Sequence, residues 1–198
     1  MKLFMIIQIK MDNKKFFSKY KKLFKTNKAV DCFLEEYQDK LPLWQEILKY
    51  YWPKTGKTIA RINRTDLADR VFSEYDRLYY SDDMWFCICV TSWVKLPWNE
   101  MQAGHYRTRA HYPTRFDIRN VHPQTYKDNC LLSWNYRNYH IFMIEKYWPE
   151  LEDRLWTNND TVDYNQERYE QHILERYQFI TDKKELIKKY KKSLEIDE

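Results

Sequence analysis

The sequence predicts an α+β fold that is mostly helical, with a small β element between N-terminal and C-terminal helices. Aromatic residues make up 18% of the chain, including 8 Trp and 17 Tyr, whereas there are only 2 Gly and 6 Pro. This composition argues against disorder and against a turn-rich all-β fold. Apolar residues recur at helical spacing over much of the 198 residues. That length suits one compact domain or a core with helical extensions.

Two helical patterns occupy the N-terminal region, residues 1–64. Residues 12–28 are rich in lysine and aromatic residues and contain Asp12 as their one acid. They predict a basic amphipathic helix, whose lysines suit either a solvated face or contact with DNA. Residues 29–51 continue the helical pattern. We expect a break at Pro42, because proline disfavours continuation of a helix.

The middle of the chain is predicted to contain a helix, a strand and a second helix. Asn63 or Thr65 caps a helix from Asp66 to Tyr80, whose apolar residues fall on one face. The run Trp85 to Thr91 predicts a buried strand from its aromatic and β-branched content. The strongly apolar segment from Tyr136 to Trp148 predicts a helix of the core.

The C-terminal region, residues 157–198, is predicted to be helical from Val162 to Leu194, as one helix or two. Before it, Pro149 suits the first turn of a short helix. The end of this region is rich in lysine, which favours a solvated face, with phosphate contact as the alternative.

Charge and cysteine content limit the class of protein. The net charge is +5 and the isoelectric point is near 8.8, which permits an acidic partner such as nucleic acid. None of the 4 cysteines shows the C-x-x-C spacing of a thiolate metal site, so neither a disulfide framework nor an intact zinc site is predicted. Residues 1–9 are apolar but too short to cross a membrane. We expect a reduced, intracellular, soluble protein with no membrane partner.

The segment from Met101 to Asn129 has the residue types needed to hydrolyse a phosphodiester. Such a reaction needs a base that deprotonates water and a divalent cation that holds phosphate oxygens. Histidine suits the first task, and amide or carboxylate oxygens suit Mg²⁺. His105 follows Gly104 at the end of a predicted strand, and Asn120 and Asn129 come 15 and then 9 residues later.

The order of these three residues resembles that of the HNH (His-Me finger) endonucleases. Their neighbours make the resemblance more specific, to the NinG/Rap family of phage recombination endonucleases, over about residues 65–156. The residues that carry it are Ala103-Gly104-His105-Tyr106, Arg115-Phe116, Asn120-Val121-His122, Gln124, Asn129, Ser133, Asn135 and Tyr139, with Phe72-Ser73-Glu74-Tyr75 and Arg77-Leu78 upstream.

The resemblance implies a small ββα-metal (HNH-like) core packed between the N-terminal and C-terminal helices. In that core His105 would be the general base, Asn129 a ligand of a catalytic Mg²⁺ or Mn²⁺, and Asn120 the residue that fixes the loop carrying His105. Many HNH enzymes have an acidic metal ligand where this chain has Gly104. The second ligand therefore stays open among Asp117, Asp128, His122 and Glu100.

The chain departs from the family at the positions of a structural zinc. The family usually places two C-x-x-C pairs around the histidine, and the matching positions here are Cys89, Ser92, Thr125 and Asp128. We therefore expect no structural zinc. Structural zinc can supply much of the folding energy of a small motif, so its loss requires a substitute. We expect packing of large apolar side chains to be that substitute; the candidates are Trp85, Trp93, Leu96, Trp98 and Trp134.

Arginines surround the predicted site. Arg107, Arg109, Arg115 and Arg119 lie there with Asp117 as the one acid among them. In a nuclease fold, phosphate contact is the better interpretation of such a cluster than plain surface charge. The remaining histidines of this part of the chain, His111, His122 and His140, are expected to be structural.

The resemblance favours an enzyme: a divalent-metal-dependent DNA endonuclease acting on recombination or branched DNA intermediates, in the cytoplasm of a bacterial host. The alternative is a catalytically silent HNH-like protein that binds DNA or inhibits a protein partner. A third hypothesis is a purely helical interaction protein. Under it the spacing of His105, Asn120 and Asn129 would be a coincidence. A homodimer would suit symmetric cutting of junctions, and the sequence leaves the oligomeric state open.

Overall fold

The computed structural model describes residues 12–18, 26–51, 63–147 and 166–196. Most of these residues are helical, and the strands form two separate antiparallel sheets of two strands each. The predicted α+β class with mainly helical content is therefore confirmed. Within the described ranges, none of the helices combines the length and apolar character needed to cross a membrane.

The elements follow one another in a simple order. The helices are α1 (12–17), α2 (Asn27–Glu36), α3 (Leu41–Tyr51), α4 (Arg64–Tyr79), α5 (Tyr136–Tyr147) and α6 (Gln166–Ile196), and the strands are β1 (Phe86–Ile88), β2 (Lys95–Pro97), β3 (Gln102–His105) and β4 (Val121–Gln124). A short π-helical segment, Lys127–Leu131, lies between β4 and α5.

Several helix boundaries are those that the sequence predicts. The break between α2 and α3 precedes Pro42, which lies in the first turn of α3. Asn63 caps α4 through a capping box with Asp66, in which each side chain accepts a hydrogen bond from the other's backbone N–H. The C-terminal pattern is one helix over the described part. Residues 19–25 of the predicted basic helix and the short helix expected at Pro149 lie outside the described residues.

A strand forms within the predicted run Trp85 to Thr91, but it is shorter and less buried than predicted. The strand covers only Phe86–Ile88, and of its three side chains only that of Cys87 is buried. Trp85 has a left-handed backbone, with φ of 63°, just before the strand. After it the chain turns, since Cys89 N–H donates to the Val94 carbonyl at 2.8 Å. This turn brings β2 back beside β1.

The main hydrophobic core lies between α4 and α6, with α3 packed beside them. It takes side chains from all three predicted regions of the chain; buried members include Phe17, Ile47, Leu48, Leu67, Val71, Leu78, Ile173 and Ile180. Ala103 and Val121 join this core from the β3–β4 sheet. One face of that sheet therefore rests on α4.

The register of β3 and β4 decides which side chains share a face. Gly104 lies opposite His122, and His105 lies opposite Val121. Because side chains alternate along a strand, His105 and Val121 point toward the α4 face. The other face, with Gly104 and His122, is covered by α5, whose Tyr139 hydroxyl donates to the Gly104 carbonyl at 2.8 Å.

Candidate functional site

His105 ends β3 and is held as a neutral imidazole. Its side chain is 7% exposed, and Nε2 lies 3.0 Å from the Arg115 carbonyl oxygen. A carbonyl can only accept, so Nε2 donates the proton and Nδ1 keeps its lone pair. Burial, followed by the nearby Arg109 charge, lowers the pKa of His105 to about 4, although hydrogen bonds to the backbone of Arg115 and Ala103 and the charge of Asp69 act in the opposite direction.

Asn120 closes the loop that follows His105. It is fully buried, and its Oδ1 accepts a 2.8 Å hydrogen bond from the Arg107 backbone N–H. Its Nδ2 donates to the carbonyls of Arg107 and Thr114, both at 3.0 Å. One amide side chain thus ties both ends and the interior of residues 107–120 together. These residues form no strand ladder, so the hydrogen bonds of the buried amide stabilise the loop. The spacing between His105 and Asn120 does not by itself reveal these bonds.

The structure does not bring Asn129 to His105. Asn129 lies in the π-helical segment, and its Nδ2 donates a 2.9 Å hydrogen bond to Gln102 Oε1. Gln102 and His105 are three residues apart on β3, so their side chains point to opposite faces of the β3–β4 sheet. Asn129 is therefore on the face opposite to His105.

Two of the four predicted DNA-contacting arginines are engaged in ion pairs. Arg115 meets Asp69 of α4 in a two-point pair, with Nε to Oδ1 at 2.9 Å and Nη2 to Oδ2 at 2.5 Å. Arg119 pairs with Asp117 in the same way at the surface. The Arg115 pair is largely shielded from solvent, so it fixes the loop onto α4 directly beside His105.

An open cleft lies between α3, α4 and this loop, and Arg109 lines it. Arg70 and Arg77 of α4 line the same cleft, together with Asp69 and Glu74. Both acids are paired within the protein, Asp69 with Arg115 and Glu74 with Lys184. The cleft is therefore cationic. Arg70 was not predicted as a site residue and Arg77 was named only as part of the resemblance, although their spacing of seven residues, two helical turns, puts them on one face of α4.

The four positions aligned with the family's zinc cysteines meet in one hydrogen-bond cluster. Asp128 Oδ2 accepts from Ser92 Oγ at 2.6 Å and from Thr125 Oγ1 at 2.5 Å. Cys89 Sγ donates to the same oxygen at 3.3 Å. Asn135 Nδ2 donates to the other oxygen, Oδ1, at 2.8 Å. Burial by itself raises the pKa of Asp128, but these hydrogen bonds outweigh it and lower the pKa to about 2.

This cluster corrects part of the expectation that large apolar side chains replace the zinc. Trp93 is 66% exposed and Trp134 is 42% exposed, so neither packs into the position of a metal. Leu96 and Trp98 do pack, against Cys87, Cys89 and Met101. A carboxylate with four donors is what joins the two segments. Asn135 and Gln124 belong to the residues that carry the resemblance, but the sequence does not indicate their roles. Gln124 Nε2 donates to the Trp134 carbonyl at 2.8 Å.

The side chains considered as a second cation ligand are used in other ways. His122 is fully buried, with Nδ1 3.1 Å from the Tyr139 hydroxyl and Nε2 2.8 Å from the Tyr147 hydroxyl. Burial, with the Lys146 charge, holds its pKa well below the usual range. Asp128 serves the cluster described above, Asp117 pairs with Arg119, and Glu100 is exposed. Among the residues that the structure describes, no three His, Cys, Asp or Glu side chains converge on a metal position.

Comparison with known protein families gives a match. The family model described as bacteriophage lambda NinG protein matches residues 55–192, more than half of the chain. Neither the curated proteins nor the solved structures gave a match. The matched range contains the β3–β4 sheet, the Asp128 cluster and most of α6. The chain therefore belongs to the bacteriophage lambda NinG family and is a protein related to phage recombination.

Proposed function

We propose that this NinG-family protein is an HNH-type DNA endonuclease that hydrolyses phosphodiesters with His105 as the general base. The observation that carries the proposal is the state of the His105 ring: neutral, oriented by the Arg115 carbonyl, and placed beside a cationic cleft. A base must be unprotonated before it acts, and a lone pair on Nδ1 meets that requirement.

The charges around His105 favour activation when a phosphate enters. In the free protein the Arg109 charge contributes to its low pKa. A phosphate bound near Arg109 would offset that charge, and the Asp69 carboxylate would stabilise the imidazolium as it forms. Phosphate binding thus raises the pKa of His105 toward neutrality, where a general base is most effective. Because His105 is almost buried, residues 106–119 must shift to admit the water and the phosphate.

The proposed hydrolysis depends on Mg²⁺ or Mn²⁺, because the negative charge that develops on the phosphate during the reaction must be stabilised. The side chains in the described ranges do not fit a ready cation site, since Asn129 faces away from His105 and the nearby carboxylates are paired. Asn129 is the ligand that the resemblance implies, and holding a cation beside His105 would require its segment to change position. The proposed substrate is DNA of branched or recombination type, cut in the bacterial cytoplasm; a homodimer would place two sites on a symmetric junction.

The direct test is an incubation of four-way-junction and plasmid DNA with the purified protein, in Mg²⁺, in Mn²⁺ and with a chelator. We expect cleavage that needs the metal and that is lost in His105→Ala and weakened in Arg109→Ala. His140→Ala, which removes a histidine of α5 bonded to the Tyr106 hydroxyl, is the matched control. Cleavage by His105→Ala at the wild-type rate would refute the assignment of the base.

A second candidate is favoured by the opposite-face arrangement of His105 and Asn129. A catalytically silent HNH-like protein that binds DNA, or that inhibits a protein partner, needs no shared cation site and leaves His105 as a buried structural histidine. The same assay separates the candidates. Junction binding without cleavage across several divalent metals, unchanged in His105→Ala, supports the silent protein.

A further inference from the structure

Three exposed aromatic residues are chain neighbours of the residues that donate hydrogen bonds to the Asp128 carboxylate. Trp93, Tyr126 and Trp134 are 66%, 57% and 42% exposed. Each is the direct chain neighbour of a residue that donates to the carboxylate: Ser92, Thr125 and Asn135. Consecutive Cα atoms are 3.8 Å apart, so the three aromatic residues lie within about 10 Å of one carboxylate.

The backbone is strained where two of these rings are presented. Trp93 has φ of 61° and Trp134 has φ of 68°, with left-handed residues also on both sides of Trp134. Non-glycine residues rarely adopt this conformation, and they do so where the surroundings impose it, commonly at ligand-binding sites. Here the restraint is visible, since Asn135 is bonded to Asp128 and the Trp134 carbonyl to Gln124.

The charge around these rings suits a polyanion. The two segments that meet at Asp128, residues 84–99 and 118–144, contain Asp128 as their one acid, and it is buried. Their cations include Lys127, which directly follows Tyr126, and Arg137. Lys95 and Arg119 pair with Asp82 and Asp117, which lie just outside these segments. A protein partner could bind the exposed Leu131 and Leu132 through an apolar surface of its own. Such a partner would gain nothing from the excess of positive charge. Aromatic side chains among cations are the features with which proteins hold unpaired nucleic-acid bases.

We propose that Trp93, Tyr126 and Trp134 form a platform on which unpaired bases of a DNA strand stack. This inference rests on the proposed function in taking DNA as the ligand and extends it to the form of DNA that is recognised. The Asp128 cluster fixes the chain neighbours of the three rings, Ser92, Thr125 and Asn135. Lys127 and Arg137 hold the phosphates of the same strand. Duplex DNA, whose bases are already stacked on one another, gains little from the platform.

The test compares the binding of fluorescent oligothymidine and of a duplex by fluorescence anisotropy, without divalent metal so that no cleavage occurs. Trp93→Ala and Trp134→Ala are each expected to weaken oligothymidine binding by about tenfold, with little change for the duplex. Trp134→Phe keeps a ring and restores most of the affinity. Tyr79→Ala, an exposed aromatic on α4 away from the platform, is the control and binds like the wild type.

Three results overturn the platform. One is unchanged oligothymidine affinity in folded Trp93→Ala and Trp134→Ala proteins, with folding checked by thermal unfolding. Another is an equal loss for single strand and duplex. The third is a wild-type dimer that these substitutions dissociate in sedimentation, which assigns the surface to a second copy of the chain. Binding is measured separately from cleavage. If the wild-type protein binds oligothymidine through these rings but does not cleave DNA, the platform is supported and the nuclease proposal is refuted.

Discussion

Ser92 Oγ donates a 2.6 Å hydrogen bond to the carboxylate of Asp128, 36 residues further along the chain. This contact joins the turn after β1 to the segment after β4. In the resemblance that the sequence shows, both residues stand where a zinc would be ligated. The ionised carboxylate, which accepts several hydrogen bonds, joins the two segments as a zinc would. Hydrogen bonds to an ionised group are about twice as strong as neutral ones.

Asp128→Ala is predicted to destabilise the protein by about 2 to 4 kcal/mol. The substitution removes the ionised acceptor of the Ser92, Thr125 and Asn135 side chains, and a hydrogen bond to a charged group contributes roughly 1.5 to 3 kcal/mol. Urea unfolding measures the loss. Glu100→Ala, which removes an exposed acid, is the control and changes the free energy of unfolding by less than about 0.5 kcal/mol. An Asp128→Ala protein as stable as the control contradicts the role of the cluster.

Restoring the cysteines is predicted to restore a metal site. In a protein that combines Ser92→Cys, Thr125→Cys and Asp128→Cys, four thiols including Cys89 surround the place where the four side chains now converge. Four thiolates form a tetrahedral zinc site. We expect one zinc per chain by elemental analysis and a cobalt spectrum typical of thiolate ligation. The variant that also carries Cys89→Ser binds more weakly. A quadruple-thiol protein without metal would show that the positions do not converge.

Gly104→Ala is predicted to destabilise the β3–β4 sheet. A Cβ at this position would lie 2.0 Å from Gln124 Oε1, and Gln124 cannot swing away freely because it is buried and bonded to Thr91 and to the Trp134 carbonyl. Overpacking of this kind costs about 1 to 3 kcal/mol. The measurement is a double-mutant cycle with Gln124→Ala, in which the cost of Gly104→Ala should fall. Equal costs in both backgrounds would refute the steric explanation.

Acid is predicted to destabilise the protein through its buried histidines. The folded pKa of His105 is about 4, against an ordinary value of 6.5, so the unfolded chain takes up the proton first. The stability is fully present above pH 6.5 and is lost as the pH falls toward 4, by roughly 3 kcal/mol for this group. His122 acts in the same direction.

The comparison for this prediction is wild type against His105→Gln, unfolded in urea across that pH range. The variant should lose less stability on acidification. Asp76 acts in the opposite sense: burial raises its pKa well above the usual range, and among the described residues its carboxylate has no hydrogen-bond partner. Its contribution is therefore lost as the pH rises, and it cancels in the difference between the two proteins. Parallel curves for wild type and variant would contradict the prediction.

The sequence predicted the features that depend on near neighbours. The Asn63 cap, the break before Pro42 and the span of α5 all follow from local preferences that act within one or two helical turns. The apolar run from Trp85 to Thr91 predicts too long a strand for β1, because it does not reveal the left-handed backbone of Trp85 or the turn after Ile88.

The site depends on contacts between distant residues, and these are harder to predict. Alignment on spacing selected Cys89, Ser92, Thr125 and Asp128, but only the structure shows that a carboxylate joins them. Spacing also selected His105 and Asn129, whereas strand alternation places them on opposite faces. The Asp69–Arg115 pair links residues 46 positions apart, and no local pattern indicates it.

The rate of junction cleavage by His105→Ala relative to wild type tests the central claim most directly. It is measured under single-turnover conditions in Mn²⁺, with His140→Ala as the control. A positioned general base contributes about 10² to 10⁴ in rate, so we predict a loss of at least about 100-fold in His105→Ala and a near wild-type rate in the control. Equal rates for wild type and His105→Ala, or no cleavage by the wild type in any divalent metal, would contradict the account.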